Sequence, residues 1–269
     1  PFHWQRADVV GGRSLLWGRQ SYRWSEQDFE ANQQDQHGAD WPIRYSDLKP
    51  WYQHVEKFIG VSGQSEGLAS LPDSDFIEPM ALNVVEQHAK QSIEKRFPDR
   101  RLTIGRTATL TESREGRGTC HYCGPCERGC SVGAYFSSQS STLPAAKKTG
   151  NLTLLPDSVV ESIEYSDKLK RASGVRVIDA NTGVKKVYRS RLVFLCASTI
   201  ASAHILLNSK SETFPTGLAN SSGVVGRYLM DHAMGPGAMG TIPGFTDYVE
   251  FGNRPTGAYI PRFRNLDKQ

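Results

Sequence analysis

Leu192-Val193-Phe194-Leu195-Cys196 is apolar at every position and runs through Ala197-Ser198-Thr199 into a helical pattern at Ile200–Leu207. A strand with one face in water alternates apolar and polar residues. An unbroken apolar run is buried on both faces, as in a central parallel strand. A buried strand, small residues and a helix N-terminus together make a seat for a phosphate group, because unpaired backbone N–H groups and the helix dipole face it. The stretch predicts an α/β (α+β) fold. Cys196, at the strand end, reads as a small buried apolar residue.

Upstream of this stretch, Leu152-Thr153-Leu154-Leu155 and Val159–Tyr165 read as short strands. Asp167-Lys168 turns the chain into Gly174–Ile178, and Asn181-Thr182-Gly183 leads into Val184–Tyr188. Turn residues between short strands predict an antiparallel meander. Two helices are expected earlier. One covers Ser46–Phe58, with Ser46 as N-cap and Pro50 in the first turn. The other covers Pro79–Phe97, where Leu82, Val85, Ala89, Ile93 and Phe97 recur at helical spacing and His88 is partly exposed. Residues 61–78 are rich in Gly, Ser and Asp and read as an exposed loop. Tyr259–Arg264 reads as an edge strand, where Pro261 is tolerated. The chain opens on Pro1 and stops at Gln269 soon after that strand, so it reads as an internal stretch of a longer polypeptide.

At 269 residues, the chain can bury one large core or two modest ones. Its 38% hydrophobic content, 22% charged content and mean hydropathy of -0.47 describe an ordinary globular protein. A net charge of +4, from 32 basic and 28 acidic residues, implies no nucleic acid or other polyelectrolyte partner. No apolar run approaches the ~18 residues of an integral membrane segment. Pro1–Arg6 has the character of neither a signal peptide nor an initiator segment.

Four of the five cysteines fall at Cys120, Cys123, Cys126 and Cys130, spaced C-x2-C-x2-C-x3-C in a polar, turn-forming run. Soft thiolates this close can converge on one point, as an iron–sulfur cluster requires, although Ser131 stands where a proline usually follows. Cys130 is the least certain ligand, since the fourth Cys of such a run can serve a second cluster. Other readings stay open. A zinc site is one, though no second knuckle or His pair is present. Disulfides are another, though loops this small strain their geometry. Plain reduced thiols are a third. The basic residues Arg114, Arg117 and Arg128 are offset by Glu112, Glu115 and Glu127, which disfavours a nucleic-acid module.

Near the start, Val9-Val10-Gly11-Gly12-Arg13-Ser14-Leu15-Leu16-Trp17-Gly18-Arg19 concentrates three glycines that let backbone approach a flat or phosphorylated ligand. A tight turn explains Gly11-Gly12 about as well. Trp4, Trp17, Trp41 and Trp51 could stack on sugars, or simply pack into cores.

Taken in order, these segments resemble the glucose–methanol–choline (GMC) family of FAD-dependent oxidoreductases along nearly the whole chain. Gly11, Gly12, Arg13, Ser14, Trp17 and Gly18 are similar to the family's flavin-covering loop. Val160-Glu161-Ser162-Ile163 and Ala172–Val175 resemble its meander, whose first valine, here Val160, touches the adenine. Cys196, Ala197 and Ser198 fall in the strand–turn–helix that in the family reads closer to A-A-G, with Ser198 in place of a glycine. Val225–His232 is similar to the segment that ends the second flavin-binding stretch. The glycine loop and the cysteine run look most like bacterial sugar dehydrogenases, glucoside 3-dehydrogenases above all.

The resemblance implies a doubly wound FAD/NAD(P)-binding domain and the start of a substrate-binding sheet domain. Residues 1–60 would be the flavin-covering loop and helix, 61–150 a helical and Cys-rich insert, 151–232 part of the FAD domain, and 233–269 the start of the substrate domain. It implies oxidation of a sugar or glycoside hydroxyl, with electrons leaving through the iron–sulfur cluster to a cytochrome c-type acceptor. A small subunit and a periplasmic location go with that. No histidyl–flavin bond is expected in the glycine loop, which lacks His. The catalytic base is expected downstream of Gln269 and the G-x-G-x-x-G motif upstream of Pro1, while Asp231-His232 reads as a structural hinge.

Overall fold

The computed structural model describes residues 5–230, 237–248 and 252–266. It divides into two compact units, residues 1–152 with 240–269, and residues 153–239.

The first unit carries the helices α1 (Glu26–Asp35), α2 (Tyr45–Ile59) and α3 (Val84–Arg96). Helix α3 starts later than its apolar periodicity predicts. Asn83 caps it, accepting from Glu86 N at 2.8 Å while Glu86 Oε2 accepts from Asn83 N at 2.9 Å. This reciprocal capping box satisfies orphan donors that Pro79 could not. Helix α2 starts before Ser46, with Arg44 as N-cap and its N–H donating to Asp47 Oδ2 at 2.8 Å. A short helix α4 (Thr142–Lys148) follows the cysteine run.

Residues 102–110 organise this unit and are buried without exception. Strand β1 (Thr103–Ile104) pairs antiparallel with β5 (Ala258–Tyr259), so of the expected edge strand Tyr259–Arg264 only Tyr259 is paired, and residues 260–264 form no strand. Further along, Thr107 exchanges backbone bonds with Ser62 (2.9 and 3.0 Å), and Ala108 N donates to Arg19 O at 2.8 Å. Leu110 N donates to Ala134 O at 3.0 Å, and Phe136 N to Ala108 O at 3.0 Å. One extended segment thus ties the glycine loop, the exit of α2 and the chain after the cysteines. Ile59, Val61, Ala108 and Phe136 form one apolar cluster beside it, with Trp17 and Phe76 packed on it.

Residues 61–78 are irregular but not the exposed loop expected. Val61, Ser62 and Leu71 are buried, and the Arg106 guanidinium holds the loop from inside. It donates to Pro72 O at 2.6 Å, Gln64 O at 3.2 Å and Asp73 Oδ1 at 2.6 Å. A second buried arginine, Arg23, meets Glu56 of α2 with Nε 3.0 Å from both carboxylate oxygens.

The second unit bears out the meander: β2 (Ser158–Ser166), β3 (Arg171–Asp179) and β4 (Lys185–Arg189) form an antiparallel sheet in that order. Helix α5 (Thr199–Asn208) follows as expected and joins β2 through Ser209 Oγ, which accepts from Ile163 N at 2.8 Å. Gly174 is required in β3, because a Cβ there would stand 2.2 Å from Tyr188 O of β4. Two expected strands are absent among the described residues. Leu152–Leu155 and Leu192–Cys196 run unpaired, with Leu192 and Phe194 72% and 84% exposed. An apolar run becomes a central strand only where neighbouring strands accept its backbone, and no described sheet does so.

Candidate functional site

The glycine loop opens with Gly11 at φ 104°, leading into one 3-10 turn over Gly12–Leu15. A left-handed φ suits glycine, and a Cβ there would press on Leu15 and Gln139 at 3.2–3.3 Å. Around Gly12 and Gly18 an added Cβ would meet nothing within 4 Å. Two open glycine positions are what a loop lying against a flat ring needs. In the same loop Trp17 Nε1 is buried with no hydrogen-bond partner, a donor free for a ligand. Ser14 Oγ accepts from Ser138 N at 3.0 Å and donates to Gly11 O at 2.5 Å, while Arg13 donates to Gln5 O at 2.9 Å. These features fit a flavin-type ligand.

The cysteine run packs against the same floor. Cys120 and Cys130 lie on the apolar cluster of Ile77, Leu110 and Ala134. The backbone N–H of Tyr135 donates to Cys130 Sγ at 3.5 Å. Burial pushes the Cys126 thiol up, and Cys120, Cys123 and Cys130 push it further. Burial likewise raises Cys120. All five cysteines are free thiols, without disulfides. Among the described residues no three His, Cys, Asp or Glu side chains already form a group that could hold a metal ion. The soft donor set suits a metal cluster in chemistry alone, since the sulfurs are not gathered into a group that could hold one.

Glycine loop and cysteine run meet through residues 135–139. Gln139 Nε2 donates to Val10 O at 2.6 Å, and Trp17 stands edge-on to Phe136 with ring centroids 5.9 Å apart. Arg19 donates to Phe136 O at 2.7 Å and to the carbonyls of Leu15 and Trp17, and lies 3.8 Å over the Tyr135 ring. A cavity of about 520 Å³ is lined on one side by Gly18 and Gln20 and on another by Gly124–Arg128, with Tyr135 between them. Gly18 of the loop and Cys126 of the cysteine run therefore line one cavity.

Sequence reasoning missed Arg19 and Arg117, the cations beneath this site, because arginine reads as surface. Arg117 is buried and donates to the carbonyls of Gly133 (2.9 Å), Ile59 (2.7 Å) and Ala134 (3.3 Å). Burial lowers the pKa of both arginines, opposed by Tyr135, Cys126 and Cys130 for Arg19 and by Cys130 for Arg117.

Val160, Cys196, Ala197 and Ser198 lie in the second unit. Val160 sits half-buried in β2 opposite Val177. Cys196 and Ala197 are exposed, so Cys196 is not the buried apolar residue expected. Ser198 is the N-cap of α5 at φ 72°, ψ 161°, with no side-chain cap bond. That conformation is essentially glycine's, which explains why a glycine suits the position. Trp41 and Trp51 are exposed, Trp51 on α2. Trp4 and Asp231-His232 lie outside the described residues. Among the described residues no helix is long and apolar enough to cross a membrane.

Comparison with known proteins places this geometry. The family model for GMC oxidoreductase matches residues 1–234. The chain is 29% identical to 2-methyl-1,2-propanediol dehydrogenase of Mycolicibacterium austroafricanum, over 84% of this chain and 41% of that protein. It is 27% identical to the fructose dehydrogenase large subunit of Gluconobacter japonicus, over 83% and 41%. Paromamine 6'-oxidase of Streptomyces fradiae is 28% identical, over 82% and 40%. The chain thus spans about two fifths of the length of these curated relatives. It belongs to the GMC oxidoreductase family, whose members depend on FAD.

Proposed function

We propose that the full-length protein oxidises a hydroxyl group of a sugar or glycoside, the ring C3 hydroxyl to a ketone foremost, and hands electrons singly to a cytochrome c-type acceptor. FAD, when bound, supplies the hydride acceptor. An iron–sulfur cluster held by Cys120, Cys123, Cys126 and Cys130 would supply a one-electron outlet, because a reduced flavin carries two electrons and a cytochrome takes one. Gly11–Gly18 would lie along the flavin, with Trp17 Nε1 as a donor to it. Val160 and the Cys196–Ser198 turn would hold the dinucleotide's adenine and phosphate parts.

The single observation that carries this reading is the shared cavity. Gly18 of the loop and Cys126 of the thiol run line the same 520 Å³ space, and Arg19 bonds the carbonyls of Leu15 and Phe136 in the adjoining chain. An electron carrier has no use unless it stands near the flavin edge. The Tyr135 N–H to Cys130 Sγ bond is also of the kind that sets a cluster's potential.

A second substrate reading, fructose, gluconate or a simple alcohol, draws support from relatives named for fructose, gluconate and a diol. A small-subunit partner accords with the relative named as a large subunit, and periplasmic location belongs to the same picture. The test is anaerobic purification of the full-length protein. Flavin absorbance that bleaches with a glucoside, together with an electron paramagnetic resonance signal from iron, is expected. A colourless, iron-free preparation would contradict the reading.

A further inference from the structure

We infer that a hollow at the turn end of the meander is a second ligand site, which takes the phosphate or pyrophosphate end of a small phosphorylated molecule. The hollow measures about 660 Å³, and three arginines line it: Arg171 of β3, and Arg189 and Arg191 at the exit of β4. Strand pairing brings them together. Ser166 faces Arg171 across the β2–β3 turn, and Gly174 faces Arg189. The Ser190 N–H then donates to Ser173 O at 3.0 Å, so the chain leaving β4 keeps to the side of β3.

These cations arrive without counter-charge. Residues 164–191 hold eight basic side chains against three acidic ones, Glu164, Asp167 and Asp179. All three acids are engaged. Glu164, the carboxylate that lines the hollow, pairs with Arg176 at 2.7 Å. Asp167 accepts from the Thr213 hydroxyl, and Asp179 accepts from the N–H groups of Asn181 and Thr182 at 3.0 and 2.9 Å. Among the described residues none of Arg171, Arg189 and Arg191 meets a carboxylate within ion-pair distance, and Arg189 donates to Ser173 Oγ at 3.3 Å. Like charges gathered on neighbouring strands repel, and an anion between them relieves that repulsion.

The chemistry of the lining favours phosphate. Each guanidinium is a flat fork of donors that matches two phosphate oxygens and keeps its charge. Three forks offer more donors than the two oxygens of one carboxylate can share. Tyr165, held edge-on to Phe214 with centroids 4.8 Å apart, and the exposed Leu169 supply an apolar side for the organic part of a ligand. The space is larger than a bare phosphate needs and within the range of small-molecule pockets. The adenine position expected at Val160 lies toward the other end of β2, ~20 Å of strand from Ser166.

The experiment titrates the FAD-loaded, full-length protein with inorganic pyrophosphate, and separately with inorganic phosphate. Calorimetry and phosphorus NMR line broadening follow binding at about 0.15 M salt. Saturable binding with a dissociation constant of about 1 mM or tighter is expected, with flavin absorbance unchanged. Arg191→Gln should weaken it about tenfold or more, and Arg191→Lys, which keeps the charge but loses the fork, should recover only a small part. Lys186→Gln, on the same sheet but outside the hollow, should leave it unmoved. Arg191→Lys binding as tightly as wild type, or Lys186→Gln weakening it as much as Arg191→Gln, would reduce the site to diffuse positive charge and overturn the inference. Release of FAD by pyrophosphate, or no saturable binding of either anion, would overturn it too. Should Arg191→Gln fail to fold by thermal unfolding, Arg171→Gln against Arg171→Lys is read in the same way.

Discussion

Residues 102–110 and residues 192–196 exchange the places their compositions suggest. The first stretch mixes Arg106, Thr103, Thr107 and Thr109 with apolar residues, yet every position is buried. The second is apolar throughout, yet leaves Leu192 and Phe194 largely in solvent. Burial here follows the supply of partners. Segment 102–110 has its backbone groups taken up by Arg19, Ser62, Ala134 and Phe136, and its charge taken up by Asp73. Segment 192–196 has apolar side chains but no strand to pair with among the described residues.

The contrast breaks first at Arg106. Arg106→Ala should cost about 3–5 kcal/mol, because it strips Asp73 and two carbonyls of their buried donor. Urea unfolding measures it, and a loss below about 1 kcal/mol would mean that the cation is a passenger in the core. In the second unit the fixed element is the meander. Gly174→Ala should cost about 1–3 kcal/mol by forcing β3 from β4, seen as faster amide exchange at Arg176 and Tyr188 with residues 102–110 unchanged. Ser198→Gly works in the other direction. Releasing Ser198 from φ 72° should stabilise the protein by about 1 kcal/mol, and a loss instead would point to an undetected role for the hydroxyl.

The smallest effect concerns acid. Lys90 foremost, then the Leu102 N–H, hold the Glu94 carboxylate below its ordinary pKa. Its contribution is therefore present above the unfolded value of about 4.3 and is lost as pH falls through the folded one. Glu94→Gln should therefore lower stability modestly at pH 7, where that contribution is present, and flatten the stability loss below about pH 4.3. An unchanged acid slope would show the pairing to be idle.

These tests also show how far the sequence could be read. Period and turn chemistry were enough for the meander, α5 and the body of α3, since Asn181-Thr182-Gly183 and the spacing of Val85, Ala89 and Ile93 act locally. The start of α3 was legible too, in Asn83-x-x-Glu86, but the apolar pattern masked it. Residues 61–78 and 102–110 were not legible. Their order comes from Arg106 and from bridges such as Ser62 with Thr107, which join positions far apart in sequence. At the site, the cysteine spacing and glycine run announced themselves, whereas Arg19 and Arg117 did not. Nothing in local sequence distinguishes a buried arginine bonded to carbonyls from a solvated one.

The most direct measurement is stopped-flow spectroscopy of the full-length Cys123→Ser variant mixed with glycoside and then with cytochrome c. The account predicts flavin bleaching at close to the wild-type rate and cytochrome reduction slowed at least a hundredfold. Cytochrome reduced at the wild-type rate would contradict it, because electrons would then leave the flavin without passing the sulfur site.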